Sequence, residues 1–331
     1  MTIPLVRAAG THADAGATVG AASAEALRLA SAEPYDRPLA ERFRAVTVEH
    51  LPWVVEELDA AAAAADVDPL GVFAASVEEL RSPALAGHGC SDLVVTGART
   101  ANGHLLVAHN NDLEPEVEEH VVAVEWRVDD EPTVFSLGVG PWLSVGWNDA
   151  GLSVTGNELT PTDDRVGIPR LLQMRDVVTR RTVGEAIEAV LHPARASSYN
   201  WVFAHRDGDV VDVEGSATAS ATLEPTDGAF AHTNDYLHPD MERFEGSPHA
   251  EGSRTRCRSA ERLLAETAGE KLTVERLRAL LSDHEGSPDS LCRHDGYAKT
   301  VFWCVADVTD GVITYGRGNP CESEAQTYAF A

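Results

Sequence analysis

The chain has 331 residues, of which 44% are hydrophobic, and its 53 acidic against 26 basic residues give a formal net charge of -27. Such a charge repels nucleic acid and anionic membranes from most of the surface, so we expect neither as a partner. The length is compatible with one large domain or two, and we favour one domain with an N-terminal helical segment attached.

The first part of the chain has helical patterns. They cover residues 40–46, 53–65 and 70–80, and Asp68-Pro69 is a cap followed by proline at the first turn of the third pattern. We therefore predict an all-helical segment before residue 90.

From residue 91 onward, short β-type runs replace the helical period. They lie at residues 93–96, 104–109, 121–128, 133–137, 143–146, 152–155, 201–205, 210–214, 219–223, 229–232, 300–306 and 312–315. Helices are predicted at 168–180, 183–191, 253–268 and 274–282, the second opened by a capping box of Thr182 and Glu185. Hairpin spacing implies antiparallel pairing, so the pattern predicts an α+β fold with two antiparallel sheets covered by helices on their outer faces.

The composition also bears on the environment of the protein. Only Lys271 and Lys299 are lysines, and acidic residues are spread along the whole chain. Such a surface stays hydrated at high salt and favours a halophilic source, with GC-rich codon usage as the alternative. Residues 1–20 lack the apolar core of a secretory signal, and no run reaches the ~20 apolar residues of a membrane span, so we expect a cytoplasmic protein.

The cysteines and histidines give no metal or disulfide signature. The five cysteines, Cys90, Cys257, Cys292, Cys304 and Cys321, are odd in number and widely spaced, without a C-x-x-C pair. Among the thirteen histidines, the pairs His104/His109, His232/His238 and His284/His294 lack helical spacing or a matching cysteine set. We expect neither a disulfide framework nor a structural metal.

Cys90 is the candidate nucleophile because Gly89 precedes it at the start of an apolar strand. Cleavage of the Gly89–Cys90 bond would leave a cysteine with both a thiol and a free α-amine. An α-amine with a pKa of about 7.7–8.0 can take the thiol proton at neutral pH, so one residue would supply nucleophile and base. From the local sequence alone, a small buried hydrophobic side chain is the alternative.

Six segments in register resemble the peptidase C45 family, which contains acyl-coenzyme A:6-aminopenicillanic acid acyltransferase. They are residues 89–91, 103–112, 151–157, 167–170, 232–237 and 283–295, and the resemblance covers most of residues 85–325. It implies an N-terminal nucleophile (Ntn) hydrolase with a four-layer αββα sandwich, made as a precursor that cleaves itself. Residues 1–89 would then form a helical prosegment or small subunit, and residues 90–331 the catalytic domain.

The resemblance also implies roles for single residues. Cys90 matches the nucleophile, with autocleavage between Gly89 and Cys90. Asp112 matches an aspartate suited to orienting the new ammonium group through a charge-assisted hydrogen bond. Asn234 matches an amide that donates to the oxyanion, and Arg293 an arginine suited to a substrate carboxylate.

Other positions concern the substrate side of the site. Asn157, Asp235 and Tyr236 are the candidates for substrate binding, and Asp235 stands where many family members have histidine. Asp92 would raise the pKa of the nearby thiol if it pointed inward. We expect it to face away from the reacting centre.

These observations predict a self-processing N-terminal cysteine amidohydrolase or acyltransferase that acts on a linear amide through a Cys90 thioester. The chemistry needs no cofactor, although a coenzyme A thioester is possible as acyl donor. Hydrolysis is favoured, because no phosphate-binding loop is apparent. Two alternatives remain: an unprocessed ligand-binding relative, and a conventional cysteine hydrolase with His232 or His284 as base. The helices predicted before residue 90 have apolar faces, so we expect the N-terminal segment to stay bound to the catalytic domain after cleavage. The oligomeric state is open.

Overall fold

Two β-sheets form the centre of the computed structural model, which describes residues 2–80, 89–294, 296 and 298–330. The strands in these residues are β1 (Leu5–Gly10), β2 (Gly89–Val95), β3 (Leu106–Leu113), β4 (Val121–Val128), β5 (Val134–Val139), β6 (Trp142–Asn148), β7 (Leu152–Asn157), β8 (Asn200–His205), β9 (Val210–Gly215), β10 (Ser220–Leu223), β11 (Ala229–His232), β12 (Lys299–Asp307), β13 (Val312–Arg317) and β14 (Gln326–Ala329). The larger sheet has the order β1-β4-β5-β6-β7-β8-β9-β10, and the smaller has the order β11-β2-β3-β12-β13-β14.

Helices cover the outer faces of both sheets. They are α1 (His12–Ala22), α2 (Ala24–Ala32), α3 (Arg37–His50), α4 (Pro52–Ala65), α5 (Pro69–Ala75), α6 (Arg170–Val177), α7 (Val183–Val190), α8 (Ala250–Glu266) and α9 (Val274–Leu281). The capping box that opens α7 is present as predicted, with Thr182 and Glu185 each bonded to the other's backbone. No helix in the part of the chain that the structure describes is long and apolar enough to cross a membrane.

Three hydrophobic cores separate the layers. Strand alternation sends successive side chains to opposite faces, so Val94 of β2 joins the core between the sheets while Leu93 joins the core under α8 and α9. The core between the sheets also contains Phe135 and Phe302, one from each sheet. A third core packs the larger sheet against α1, α6 and α7. The α+β class and the four-layer αββα sandwich are therefore confirmed.

The N-terminal segment differs from the all-helical prediction. Residues Leu5–Gly10 form β1, which pairs in parallel with β4, with Leu5 opposite Ala123 and Gly10 opposite Val128. The larger sheet is therefore mixed rather than purely antiparallel. A short, half-buried edge strand such as β1 lacks a clear alternation of polar and apolar residues. Its parallel partner also lies far along the chain, so the local sequence shows neither the strand nor its pairing.

Close packing and buried charges join the N-terminal segment to the rest of the fold. A Cβ on Gly16 or Gly20 of α1 would lie 2.2 or 2.3 Å from a carbonyl oxygen of α4, so glycine permits the contact between these helices. Glu57 of α4 forms two hydrogen bonds of 2.8 and 2.9 Å with Arg175 of α6. The side-chain amide of Gln326 in β14 exchanges two hydrogen bonds with the backbone of Ile3.

Candidate active site

Cys90 lies at the start of β2 and is 6% exposed. It is paired with Asn111 of β3, whose side-chain amide nitrogen lies 3.3 Å from the Cys90 sulfur. Since Cys90 and Val94 share one face of the strand, the thiol faces the region between the two sheets.

The backbone nitrogen of Cys90 donates a hydrogen bond of 2.8 Å to Oδ1 of Asn234. The same oxygen accepts a bond of 2.7 Å from Arg256, and Nδ2 of Asn234 donates to the carbonyl oxygen of Glu158 at 3.0 Å. Two donors at one atom fix the orientation of this amide. In this arrangement Asn234 holds the nitrogen of the nucleophile, and one of its N–H groups is already bonded. Its predicted role as oxyanion donor stays a prediction.

Asp112 pairs with Gly89 across the β2–β3 ladder and is fully buried. Its Oδ1 accepts a hydrogen bond of 2.7 Å from Thr300, and its Oδ2 lies 3.9 Å from Nη1 of Arg293. Burial raises the pKa of Asp112, against the opposing charges of Arg293 and Arg256. Oδ2 has no hydrogen-bond partner among the described residues.

Gly89 allows these charged groups to approach the Gly89–Cys90 peptide. A Cβ at this position would lie 2.9 Å from Nη1 of Arg293 and 3.0 Å from Oδ2 of Asp112. The predicted residues Cys90, Asp112, Asn234 and Arg293 are thus brought together around one peptide bond. The segment 81–88 before it lies outside the described residues.

His109 is a site residue that sequence analysis missed. Its Nδ1 lies 3.0 Å from Oδ1 of Asp92, both side chains are fully buried, and Asn111 lies 3.5 Å from its Nε2. Burial lowers the pKa of His109, but the charge and hydrogen bond of Asp92, with a further contribution from Cys90, raise it to about 10. The imidazolium is therefore the form that neighbours the thiol at neutral pH.

The expectation that Asp92 faces away from the reacting centre is wrong. Asp92 follows Cys90 by two residues in the same strand, so strand alternation places both on one face. Its carboxylate is bonded to His109 rather than directed at the thiol. The register that pairs Asp92 with His109 was the available signal.

The two histidines proposed as alternative bases have other partners. Nε2 of His232 lies 2.9 Å from Glu214, and its Nδ1 lies 2.7 Å from the Thr233 carbonyl oxygen, so both ring nitrogens are engaged. His284 lies in a loop with its Nε2 3.1 Å from Nε2 of His294. The structure therefore gives both residues other interactions.

The candidates for substrate binding divide into two groups. Asn157 ends β7 with its Oδ1 bonded to Asn200, and its buried Nδ2 lacks a partner among the described residues. Asp235 instead accepts a bond of 2.6 Å from Ser253, and the Tyr236 hydroxyl donates to the Gly215 carbonyl oxygen. The contacts of Asp235 and Tyr236 are structural, and their binding role stays a prediction.

A polar cavity of about 310 Å³ adjoins the site. Asn234, Arg256 and Arg293 lie in its wall, together with Glu158 and Asp289. Two buried guanidinium groups at one end suit a substrate with a carboxylate or another polar acceptor near the scissile bond.

The αββα sandwich, with these polar groups gathered around one peptide bond, fits the class of Ntn-type amidohydrolases and acyltransferases. The family model "Acyl-coenzyme A:6-aminopenicillanic acid acyl-transferase" matches residues 98–322. The chain belongs to this family. The matched range contains Asp112, Asn157, Asn234 and Arg293 and begins after Cys90, and membership supports an Ntn-type amidohydrolase or acyltransferase.

Solved structures with a similar fold were also found. A mutant conjugated bile acid hydrolase from Clostridium perfringens has 13% identity and a TM-score of 0.48, covering 73% of this chain and 97% of that one. A Caenorhabditis elegans ortholog of N-acylethanolamine-hydrolyzing acid amidase has 14% identity and a TM-score of 0.47, covering 66% and 93%. Penicillin V acylase from Agrobacterium tumefaciens has 10% identity and a TM-score of 0.47, covering 73% and 86%. With TM-scores below 0.5, these similarities add nothing to the family assignment. No curated protein sequence matches the chain.

Proposed function

We propose that the protein is a precursor that cleaves itself between Gly89 and Cys90 and then hydrolyses a linear amide through a Cys90 thioester. The observation that carries the proposal is the environment of the Cys90 backbone nitrogen, which is bonded to Asn234 at 2.8 Å. Cleavage would convert this nitrogen into an amine without moving it from its acceptor. Oδ2 of Asp112, which accepts no hydrogen bond among the described residues, is a second acceptor next to Gly89.

Self-cleavage follows from the same geometry. The Cys90 thiol adds to the Gly89 carbonyl carbon, the C–N bond breaks, and the nitrogen leaves as the Cys90 amine after taking up a proton. The resulting thioester between Gly89 and Cys90 is hydrolysed by water, which returns the thiol and leaves a carboxylate on Gly89. Asp112 offers an acceptor to the amine, and the nearby guanidinium groups of Arg256 and Arg293 offer positive charge to the oxyanion.

The catalytic cycle uses the processed residue. The α-amine takes the thiol proton, and the thiolate attacks the substrate carbonyl to give an acyl thioester. The amine product leaves with that proton, and water then releases the acid. Asn157 offers an amide donor without a partner among the described residues, and Asn111 donates toward the sulfur.

His109 bears on the alternative of a conventional histidine-assisted enzyme. It is the histidine that interacts with Cys90, and its pKa of about 10 keeps it protonated at neutral pH. A protonated imidazole has no lone pair with which to act as general base. It can stabilise a thiolate electrostatically, either with the α-amine as base or after taking the thiol proton itself, so cleavage at Gly89 is the test that separates the two mechanisms.

The N-terminal segment would remain attached after cleavage. β1 is hydrogen-bonded within the larger sheet, and Glu57 and Glu78 pair with the buried Arg175 and Arg170 of α6. Removal of the segment would expose the edge of β4 and leave two buried guanidinium groups without these partners. We propose a mature protein of two non-covalently associated chains.

Water is the preferred acyl acceptor in this proposal, and a small amide is the substrate. Glu158, Glu251 and Asp289 share the wall of the cavity beside Asn234 with the two arginines, so the described residues that line it form no extended basic surface for a coenzyme A diphosphate. A coenzyme A thioester remains the alternative acyl donor. Turnover of amide and thioester panels, with and without an added amine, distinguishes hydrolysis from transfer.

The experiment is intact-mass analysis of the purified wild type beside Cys90→Ala, with Cys257→Ala as the matched control. The wild type and the control are expected as two fragments, the larger beginning at Cys90, and Cys90→Ala as one uncut chain. An uncut wild type would contradict self-processing, and an uncut but active wild type would favour the conventional enzyme. If the protein cleaved itself but turned over no amide, self-processing would stand and the assignment as an amide hydrolase would be refuted.

A further inference from the structure

A cluster of two cysteines and two histidines lies outside the proposed catalytic groups. Its members are Cys292, Cys321, His284 and His294, and one ligand atom from each lies within 4.8 Å of all the others. The sequence gives no metal signature for them because the four residues are distributed over positions 284–321, in the α9–β12 loop and the β13–β14 loop. The fold brings them together at one end of the smaller sheet.

Four of the distances between ligand atoms match a tetrahedral zinc site, and all of these atoms lie within 4.8 Å of one another. Zinc binds sulfur at about 2.3 Å and imidazole nitrogen at about 2.0–2.1 Å, so a tetrahedron has edges of about 3.8 Å between sulfurs, 3.6 Å between sulfur and nitrogen and 3.3 Å between nitrogens. The Cys292 and Cys321 sulfurs are 3.7 Å apart. Nε2 of His294 lies 3.5 and 3.3 Å from these sulfurs and 3.1 Å from Nε2 of His284.

The surroundings of the four groups also suit a metal. The buried amide of Asn319 lies 3.4 Å from the Cys292 sulfur, which places an N–H donor where a thiolate would need one. On the other side of the His294 ring, Nδ1 lies 4.0 Å from Glu322. At this distance the two groups form no hydrogen bond, and Glu322 would have to rotate towards the ring to orient a metal-bound imidazole.

We propose that Cys292, Cys321, His284 and His294 bind one structural Zn²⁺. Both thiols lose their protons to solvent, and both imidazoles bind through Nε2 in the neutral form, so the two thiolates balance the charge of the ion. A set of two sulfur and two nitrogen ligands in tetrahedral geometry favours zinc over magnesium, calcium or manganese. No disulfide is needed to explain the 3.7 Å separation of the sulfurs, which is longer than an S–S bond of about 2.05 Å.

The site would act on Arg293 through the backbone. Arg293 lies between the ligands Cys292 and His294. The side-chain amide of Asn319 also holds this loop, because it donates a hydrogen bond of 2.7 Å to the Arg293 carbonyl oxygen. Thr300 accepts from the Arg293 backbone nitrogen and donates to Asp112. Zinc would therefore be a positioning element for Arg293, at a place where the metal does not contact substrate.

The test is the metal content of the full-length protein, purified under reducing conditions without a chelator and with any affinity tag removed. Plasma mass spectrometry is expected to find about one zinc per chain in the wild type and in the matched control Cys257→Ser. Cys321→Ser and His294→Ala are expected to bind zinc at least 10-fold more weakly, as is usual when a ligand or its partner is lost.

A second measurement needs no variant. Wild-type protein stripped with a chelator is expected to bind one Co²⁺ and to develop the visible and thiolate charge-transfer bands of a tetrahedral site, with a higher Tm on readdition of zinc. Absence of zinc together with failure of the stripped protein to bind Co²⁺ would overturn the proposal. So would a stoichiometric iron or copper, a Cys292–Cys321 disulfide that persists under reduction, or zinc retained by both ligand variants. None of these results depends on cleavage at Gly89.

Discussion

The buried pair of Asp92 and His109 gives a prediction whose size follows from the structure. Both side chains are fully buried, and Nδ1 lies 3.0 Å from Oδ1. His109→Gln removes the positive charge and leaves the Asp92 carboxylate inside the fold. Loss of one member of such a pair costs about 3–5 kcal/mol, because the remaining charge stays desolvated. Asp92→Asn combined with His109→Gln removes both charges, so the double variant is expected to recover most of that loss.

The dependence on pH has a definite sign. The pKa of His109 rises from its ordinary 6.5 to about 10 in the folded protein. A raised pKa means that the folded state binds the proton more tightly than the unfolded state. The contribution of the pair is therefore complete below pH 6.5 and is lost as the pH rises through 10. The difference in stability between the parent protein and the double variant should fall over this range.

Guanidinium denaturation measures these effects, and a Cys90→Ala parent excludes any cleavage during the experiment. The exposed pair of Arg276 and Glu270, with Nε and Oε2 2.9 Å apart, is the control. Arg276→Gln is expected to cost about 1 kcal/mol or less, because solvent screens an exposed pair. If His109→Gln were as stable as the double variant at a pH below 6.5, the assignment of a buried ion pair would be refuted.

Three further predictions concern processing, turnover and the N-terminal segment. Gly89→Ala is expected to slow the appearance of cleaved fragments, because the new Cβ would lie 2.9 Å from a buried guanidinium nitrogen; an unchanged rate in a time course by mass spectrometry would contradict this. Asn157→Ala is expected to lower kcat about 10²–10³-fold with little change in KM if its amide stabilises the oxyanion, and a change confined to KM would assign it to substrate binding. Glu57→Gln is expected to cost about 1–3 kcal/mol in chemical denaturation, since Arg175 loses one buried acidic partner and keeps Glu131, whereas the exposed Glu56→Gln should have little effect. Equal stability of Glu57→Gln and Glu56→Gln would count against that pair.

Local signals explain which elements could be predicted from the sequence. The predicted strands at Val121–Val128 and Ala229–His232 have the observed bounds, and α7 begins where the Thr182–Glu185 capping box places it. β1 was missed because its six residues depend on a partner more than a hundred positions away. Such pairings are set by the tertiary structure, and no local period records them.

The candidate site also contains residues that could be found from the sequence and residues that depend on the tertiary structure. Cys90, Asp112, Asn234 and Arg293 could be found because short motifs carry them, and the structure gathers them around one peptide bond. His109 lies in the segment 103–112, but the sequence analysis assigned it no catalytic role, and its importance depends on the register of β2 against β3. Strand alternation alone would have placed Asp92 on the face of Cys90, so that part of the site was accessible without coordinates.

The contacts of the N-terminal segment with the rest of the fold affect how the protein folds and refolds. β1 lies within the larger sheet, and Gln326 binds the backbone of Ile3, so residues from both ends of the chain belong to one cooperative unit. Before cleavage this unit assembles in a first-order process. After a cut at Gly89, recovery from denaturation would require two polypeptides to meet, so its yield would depend on protein concentration. Efficient folding would then be a property of the uncut chain alone. The lifetime of the cut enzyme would be governed by its rate of unfolding.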